Sequence, residues 1–111
     1  KKKDYPYVIH APTMRTPGSI EGTDRIYNAT WAALIEAHRY NSSIAEPKIE
    51  KMVFPAMGTG FGQVSFDESA RQMAIAYQHY INRPEMLDWN IVAERQQRLV
   101  MDGEKRIKII C

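Results

Sequence analysis

Several features are scarce in this 111-residue chain, and each scarcity narrows the possibilities. The single cysteine, Cys111, cannot form an internal disulfide, which favours a reducing compartment, cytoplasmic or nuclear. No apolar run approaches the length of about 20 residues that crosses a bilayer, and no basic-then-apolar leader opens the chain. We therefore expect a soluble protein with no membrane partner.

Charge of one sign is not in excess either. Fifteen basic residues face 13 acidic ones, for a net charge of +2. This balance argues against a specific nucleic-acid partner, which requires a clustered basic face. No set of His, Cys, Asp and Glu residues has metal-ligand spacing, so we expect no metal site and no cofactor.

Apolar patterning predicts two strands and three helices. Short apolar, β-branched runs bounded by proline and glycine are typical of strands, and apolar residues at helical spacing are typical of helices. The expected order is strand 5–11, helix 23–40, strand 51–56, phosphate loop 57–64, helix 65–81 and helix 87–102.

This order indicates an α/β fold. Two strands joined by a helix form a parallel pair with a crossover connection, and strands that are apolar throughout are usually buried on both faces. A central pair of strands needs neighbours that the sequence does not visibly supply. We therefore expect residues 1–111 to be the C-terminal part of one larger domain, whose missing N-terminal portion completes the sheet.

The helices also have predicted orientations. The apolar residues expected to face inward from the second helix are Ala70, Met73, Tyr77 and Tyr80 or Ile81. Those expected to face inward from the third helix are Trp89, Val92 and Leu99. His38 and His79 lie late in their helices, where a positive charge suits the helix dipole.

A glycine-rich loop, Met57-Gly-Thr-Gly-Phe-Gly62, follows the second apolar run. Glycine allows positive φ and a close approach of the backbone to a ligand, and successive N–H groups can surround an anion. A capping box, Ser65 with Glu68, then opens a helix whose N-terminus adds partial positive charge. The loop therefore predicts a phosphate or diphosphate site, with a purely structural turn as the alternative. It lacks the Lys-Ser/Thr ending of a nucleoside-triphosphate loop.

These residues resemble a known family. Val53-Phe-Pro-Ala-Met-Gly-Thr-Gly-Phe-Gly62 looks like the second phosphate-binding loop of macro domains, and Val8-Ile-His-Ala11 is similar to the strand before it. Residues 11–15 and the Thr23-Asp24 helix start resemble the branch that includes fungal ADP-ribose 1″-phosphate phosphatases. The resemblance covers residues 7 to about 100. It implies a three-layer fold with a mixed, largely parallel central sheet flanked by helices.

The resemblance also implies a function, namely binding of ADP-ribose or ADP-ribose 1″-phosphate with hydrolysis of the phosphomonoester of the latter. A non-catalytic ADP-ribose-reading module and a de-ADP-ribosylating hydrolase are the alternatives. The implied substrate-binding residues are Ala56, Met57, Gly58, Thr59, Gly60, Phe61, Gly62, Pro12 and Thr13.

His10 is the one catalytic candidate. It ends the first predicted strand, and imidazole suits acid–base assistance at a phosphate ester. The alternative is a hydrogen-bonded core histidine. The catalytic carboxylate and the adenine-binding residue of the family match nothing in this chain, so we expect them outside it.

Overall fold

The computed structural model describes residues 7–43, 48–83 and 89–101. It contains three helices, α1 (Arg25–Ser43), α2 (Phe66–Ile81) and α3 (Trp89–Met101). None of them is both long and apolar enough to cross a membrane. The predicted residues 5–6, 87–88 and 102 lie outside the described ranges.

The expected central sheet is absent from these ranges, and the α/β prediction is wrong. The described part of the chain is helical, and it contains no β-strand. Residues 7–13 and 49–56, called here the outer segments, form no backbone ladder with each other. A strand is stable only when a neighbour pairs with its backbone groups, and Val8 and Val53 are instead 93% and 81% exposed.

The interior lies between α1 and α2, which are the helices in most extensive contact. α1 contributes mostly small residues, which let the neighbouring backbone approach closely; its buried members are Ile26, Ala29, Thr30, Ala33, Leu34 and Ala37. Beside them, Ile20, Ile26 and Val64 form an apolar cluster. This cluster joins the start of α1 to the residues just before α2.

α2 buries a more polar face than predicted, although Met73 packs against the apolar cluster as expected. Its buried residues are Glu68, Ser69, Gln72, Ile75, Ala76 and His79, whereas Ala70, Tyr77 and Ile81 are exposed. Gln72 explains this orientation, because its side chain is fully buried and bonded at both ends. Its Nε2 donates to Thr23 O, and its Oε1 accepts from the Tyr27 N–H at 2.9 Å. Satisfied polar groups can therefore occupy the interface with α1.

His79 lies on the same buried face, next to the Tyr27 hydroxyl, which is 2.8 Å from Nδ1. Burial and the positive charges of Arg95 and Arg98 lower the pKa of His79 to about 4. The imidazole is therefore neutral near pH 7. The expectation that His79 carries a positive charge for the helix dipole is wrong, because the loss of water and two nearby guanidinium groups outweigh the dipole.

α3 packs against α2 through Leu99, which is 2% exposed as the prediction required. Trp89 does not face inward, since it is 86% exposed at the first position of the helix. Arg71 adds a polar contact, because its Nη2 donates to Leu99 O at 2.8 Å. The apolar periodicity correctly predicted α3, but it did not show that only the Leu99 end of the helix is buried.

Candidate functional site

The glycine-rich loop, residues 56–62, rests directly on the Ile20–Ile26–Val64 cluster. Gly58 has φ +75°, a conformation that side-chain-bearing residues rarely adopt. A Cβ at this position would also lie 2.7 Å from Ile26 Cδ1. Both constraints require glycine, so Gly58 sets how closely the loop approaches α1.

Five of the seven carbonyl groups of this loop accept hydrogen bonds from the protein itself. The acceptor and donor pairs are Ala56 O with Thr59 Oγ1 (2.8 Å), Met57 O with Ser69 Oγ (2.7 Å), Gly58 O with Val64 N (3.0 Å), Gly60 O with Gln63 N (3.0 Å) and Gly62 O with Ile20 N (2.9 Å). Most of the loop's partial negative charges are therefore directed toward other protein groups.

The amide groups are left over for another partner. Within the described residues, the backbone N–H groups of Gly58, Gly60, Phe61 and Gly62 donate no hydrogen bond. In a planar trans peptide the C=O and N–H point in opposite directions, so the engaged Met57 and Gly60 carbonyls leave the Gly58 and Phe61 amides directed away from their acceptor sides. Free amides in succession are the arrangement that binds anions.

Space is available around the middle of the loop. A Cβ added at Gly60 would meet no heavy atom within 4 Å. Phe61, next to it, is 77% exposed, so its ring is not part of the core. A ligand can therefore approach the loop backbone at Gly60 without displacing a side chain.

The start of α2 completes the electrostatic surroundings of the loop. Ser65 caps the helix, and its Oγ accepts from the Glu68 N–H at 3.1 Å, which confirms this half of the predicted capping box. Burial alone would raise the pKa of Glu68, but hydrogen bonds from Arg71 and Gln72 outweigh it and lower that pKa. The Arg71 guanidinium binds both carboxylate oxygens at 2.8 Å and offsets their charge.

His10 lies in a groove between the first outer segment and α1. The groove has a volume of about 880 Å³, and His10 shares it with the predicted residues Pro12 and Thr13. Arg15 and Arg25 line it as well, and neither was predicted as a site residue, because an isolated arginine has no recognisable sequence pattern. Neither guanidinium has a hydrogen bond or ion pair with a described residue.

Met57 lines a second groove of about 720 Å³, which lies between the two outer segments and touches α1 at Ala33. The two grooves adjoin, because Ile9, Ala11 and Ala33 line both of them. The structure thus brings His10, Pro12 and Thr13 together and sets Met57 in the neighbouring groove. Gly58 to Gly62 line neither groove among the described residues. No group of three or more His, Cys, Asp or Glu that could hold a metal ion occurs in the described ranges.

Comparison with known proteins places the chain among macro domains. The macro domain family model matches residues 1–73. An uncharacterized protein of Aeropyrum pernix is 41% identical over 70 residues, 63% of this chain and 33% of the relative. An uncharacterized protein of Aquifex aeolicus is 32% identical over 99 residues, 88% of this chain and 54% of the relative.

The chain thus spans about a third and about half of the length of these two curated relatives. No solved structure matches it significantly. The family match covers well over half of the 111 residues and includes the whole glycine-rich loop. The chain belongs to the macro domain family.

Proposed function

We propose that this protein binds ADP-ribose and holds the diphosphate on the loop of residues 56–62. Macro domains generally bind ADP-ribose derivatives. The observation that carries the proposal is the polarity of the loop: five of its seven carbonyls are engaged internally, while the amides of Gly58, Gly60, Phe61 and Gly62 donate to no described residue. A diphosphate supplies the acceptor oxygens that these donors require.

The proposed contacts suit a charged ligand. A hydrogen bond to a charged group contributes about 1.5–3 kcal/mol, so each amide that contacts the diphosphate should add measurably to affinity. The N-terminus of α2 adds partial positive charge nearby. Ala56, Met57 and Thr59 shape the loop, and Phe61 offers an exposed ring. We assign Pro12 and Thr13, in the groove that also contains His10, to the rest of the ligand.

The Gly60→Val variant tests this proposal. A side chain there fills the space through which phosphate approaches, so we expect calorimetric affinity for ADP-ribose to fall tenfold or more. Stability should hardly change, because a Cβ at Gly60 meets nothing within 4 Å and its φ is not positive. Gly18→Val is the matched control, since its Cβ position is also nearly open and lies outside the loop. Equal affinity in Gly60→Val and parent protein would exclude the loop as the binding site.

We propose hydrolysis of ADP-ribose 1″-phosphate as a second function, in line with the resemblance to the phosphatase-like branch. The supporting observation is that exposed His10 shares its groove with two otherwise unengaged guanidinium groups, Arg15 and Arg25. Water attacks phosphorus, the bond from phosphorus to the ribose oxygen breaks, and ADP-ribose and inorganic phosphate are released. Guanidinium groups stabilise the charge on phosphoryl oxygens, and His10 transfers a proton.

His10→Ala separates this activity from binding. We expect phosphate release per folded molecule to fall about 10²-fold, the usual scale for an acid–base group, while ADP-ribose affinity changes little. Stability should change by less than about 0.5 kcal/mol, because the side chain is exposed. Unchanged turnover would remove His10 from catalysis. Absence of phosphate release from the parent protein would leave ADP-ribose binding as the function.

We further propose that residues 1–111 form the C-terminal part of a single macro-like domain. Its support is the exposed apolar side chains of the outer segments, together with relatives two to three times longer than the part they share with this chain. In a longer protein of this family, hydrogen exchange at residues 7–13 should then be slow. Fast exchange there would contradict the proposal.

A further inference from the structure

Ser69 is a buried hydroxyl that bonds outside its own helix. It is 2% exposed, on the face of α2 toward the glycine-rich loop. Its Oγ donates to Met57 O at 2.7 Å, across 12 residues of sequence. The sulfur of Met73, at 3.8 Å, is a much weaker acceptor. The strong bond of Ser69 therefore goes to the peptide that enters the loop.

This bond determines the orientation of the peptide between Met57 and Gly58. The peptide is planar, so holding the Met57 carbonyl toward α2 directs the Gly58 N–H to the opposite side. The next carbonyl, Gly58 O, is held by Val64 N–H at 3.0 Å, which fixes the peptide on the other side of Gly58. Gly58 has no side chain to prevent rotation of either peptide, so these two bonds replace that restraint.

A flipped peptide would reverse the polarity of the site. The Met57 carbonyl would then take the place of the Gly58 N–H and repel an anion. Its buried hydrogen bond would be lost at the same time. We propose that Ser69 is a positioning residue that aims the Gly58 amide at the phosphate; this rests on the proposed ADP-ribose binding. Ser69 acts through the backbone and does not contact the ligand.

Removing the hydroxyl tests this role. Ser69→Ala should weaken ADP-ribose binding about tenfold, measured by calorimetry on folded protein. Ser69→Cys, which keeps a weak donor of similar shape, should recover part of the affinity. Thr30→Val is the matched control, because Thr30 Oγ1 is equally buried and also lies near Met57, but bonds Ile26 O in its own helix. It should lose stability without losing affinity. Equal affinity losses in Ser69→Ala and Thr30→Val would mean a general structural effect and overturn the proposal.

A readout without ligand separates this proposal from the proposed function. In the ¹⁵N-labelled free protein, Ser69→Ala should shift or broaden the Gly58 amide resonance, because its peptide is released, while Thr30→Val should leave that resonance in place. An unchanged Gly58 amide in Ser69→Ala overturns the positioning role, whatever the affinity. If the parent protein fails to bind ADP-ribose, the proposed function fails, and the role in aiming at phosphate fails with it. A Gly58 shift would then show only that Ser69 orients the peptide.

Discussion

The inner region of this protein, α1, α2 and residues 56–64 between them, differs sharply from its outer segments, residues 7–13 and 49–56. Both contain apolar residues next to glycine or proline. In the inner region, Val64 is 6% exposed, and its N–H is bonded to Gly58 O. In the outer segments, Val8 and Val53 are almost fully exposed.

The difference teaches that an apolar run becomes core only when something covers it. Around Val64, the start of α1 and the loop enclose the side chain and satisfy the backbone. The outer segments have α1 on one side, where Ile9 and Phe54 are partly buried, and nothing among the described residues on the other. Three predictions test how far this contrast holds, beginning with the largest expected effect.

Gly62→Ala should destabilise the inner region more than any other substitution considered. A Cβ at Gly62 would lie 2.4 Å from Gly58 O, a backbone atom that cannot move without breaking its bond to Val64 N–H. We expect a loss of about 3 kcal/mol in the free energy of unfolding, at the upper end for overpacking. Urea denaturation measures it, with Gly60→Ala as control, for which the change should stay within about 0.5 kcal/mol. Similar values for the two variants would show that the loop is not tightly enclosed.

Acid should loosen the inner region through His79. Its pKa is about 4 in the folded protein, below the ordinary 6.5, so the unfolded state binds more protons between these values. The contribution of His79 to stability is therefore fully present above about pH 6.5 and is lost as the pH falls toward 4. From pH 7 to pH 5 the free energy of unfolding should fall by about 2 kcal/mol from this group.

His79→Gln is the comparison for this pH effect. It removes the titrating group and keeps a polar side chain near the Tyr27 hydroxyl. The difference in pH dependence between parent and variant isolates the His79 contribution from the carboxylates that also titrate in acid. Parallel stability curves for the two proteins over pH 5 to 7 would contradict the depressed pKa.

One substitution made in both regions gives the most direct comparison. Its effect in the outer segment is the smallest that we expect. Val53→Thr replaces a methyl by a hydroxyl in solvent and should change stability by less than about 0.5 kcal/mol. Val64→Thr makes the same replacement in the core, where an unpaired hydroxyl costs about 1–3 kcal/mol. Thermal melts of the two variants measure the contrast. A large loss for Val53→Thr would mean that the outer segment is covered.

The sequence predicted the local features well where the cause is local. The helix starting near residue 65 follows from the Ser65 cap, and a positive φ within the loop follows from its glycines, although the sequence did not show that Gly58 is the residue that adopts it. The orientation of α2 could not be predicted this way. Gln72 and His79 face inward because Thr23 and Tyr27, about 50 residues away, supply their hydrogen-bond partners.

The sheet was predicted from apolar runs, and that step failed for a physical reason. Apolar, β-branched composition shows that a segment favours extended backbone, but pairing requires a second segment at the right distance. In the described residues neither outer segment provides it for the other. The exposed Trp89 is the same error in a helix, where the period was correct but no described residue covers the side chain.

By itself, then, the sequence indicated the three helices, the glycine-rich loop and the family, because these depend on residues close together in the chain. Only the tertiary structure decided which loop groups are engaged and which are free. Met57 O meets Ser69, Gly58 O meets Val64, and Gly62 O meets Ile20, and each pairing depends on how α2 and the start of α1 pack around the loop. Holding the Met57 carbonyl toward Ser69 directs the free Gly58 N–H the opposite way, because the C=O and N–H of one planar peptide point in opposite directions.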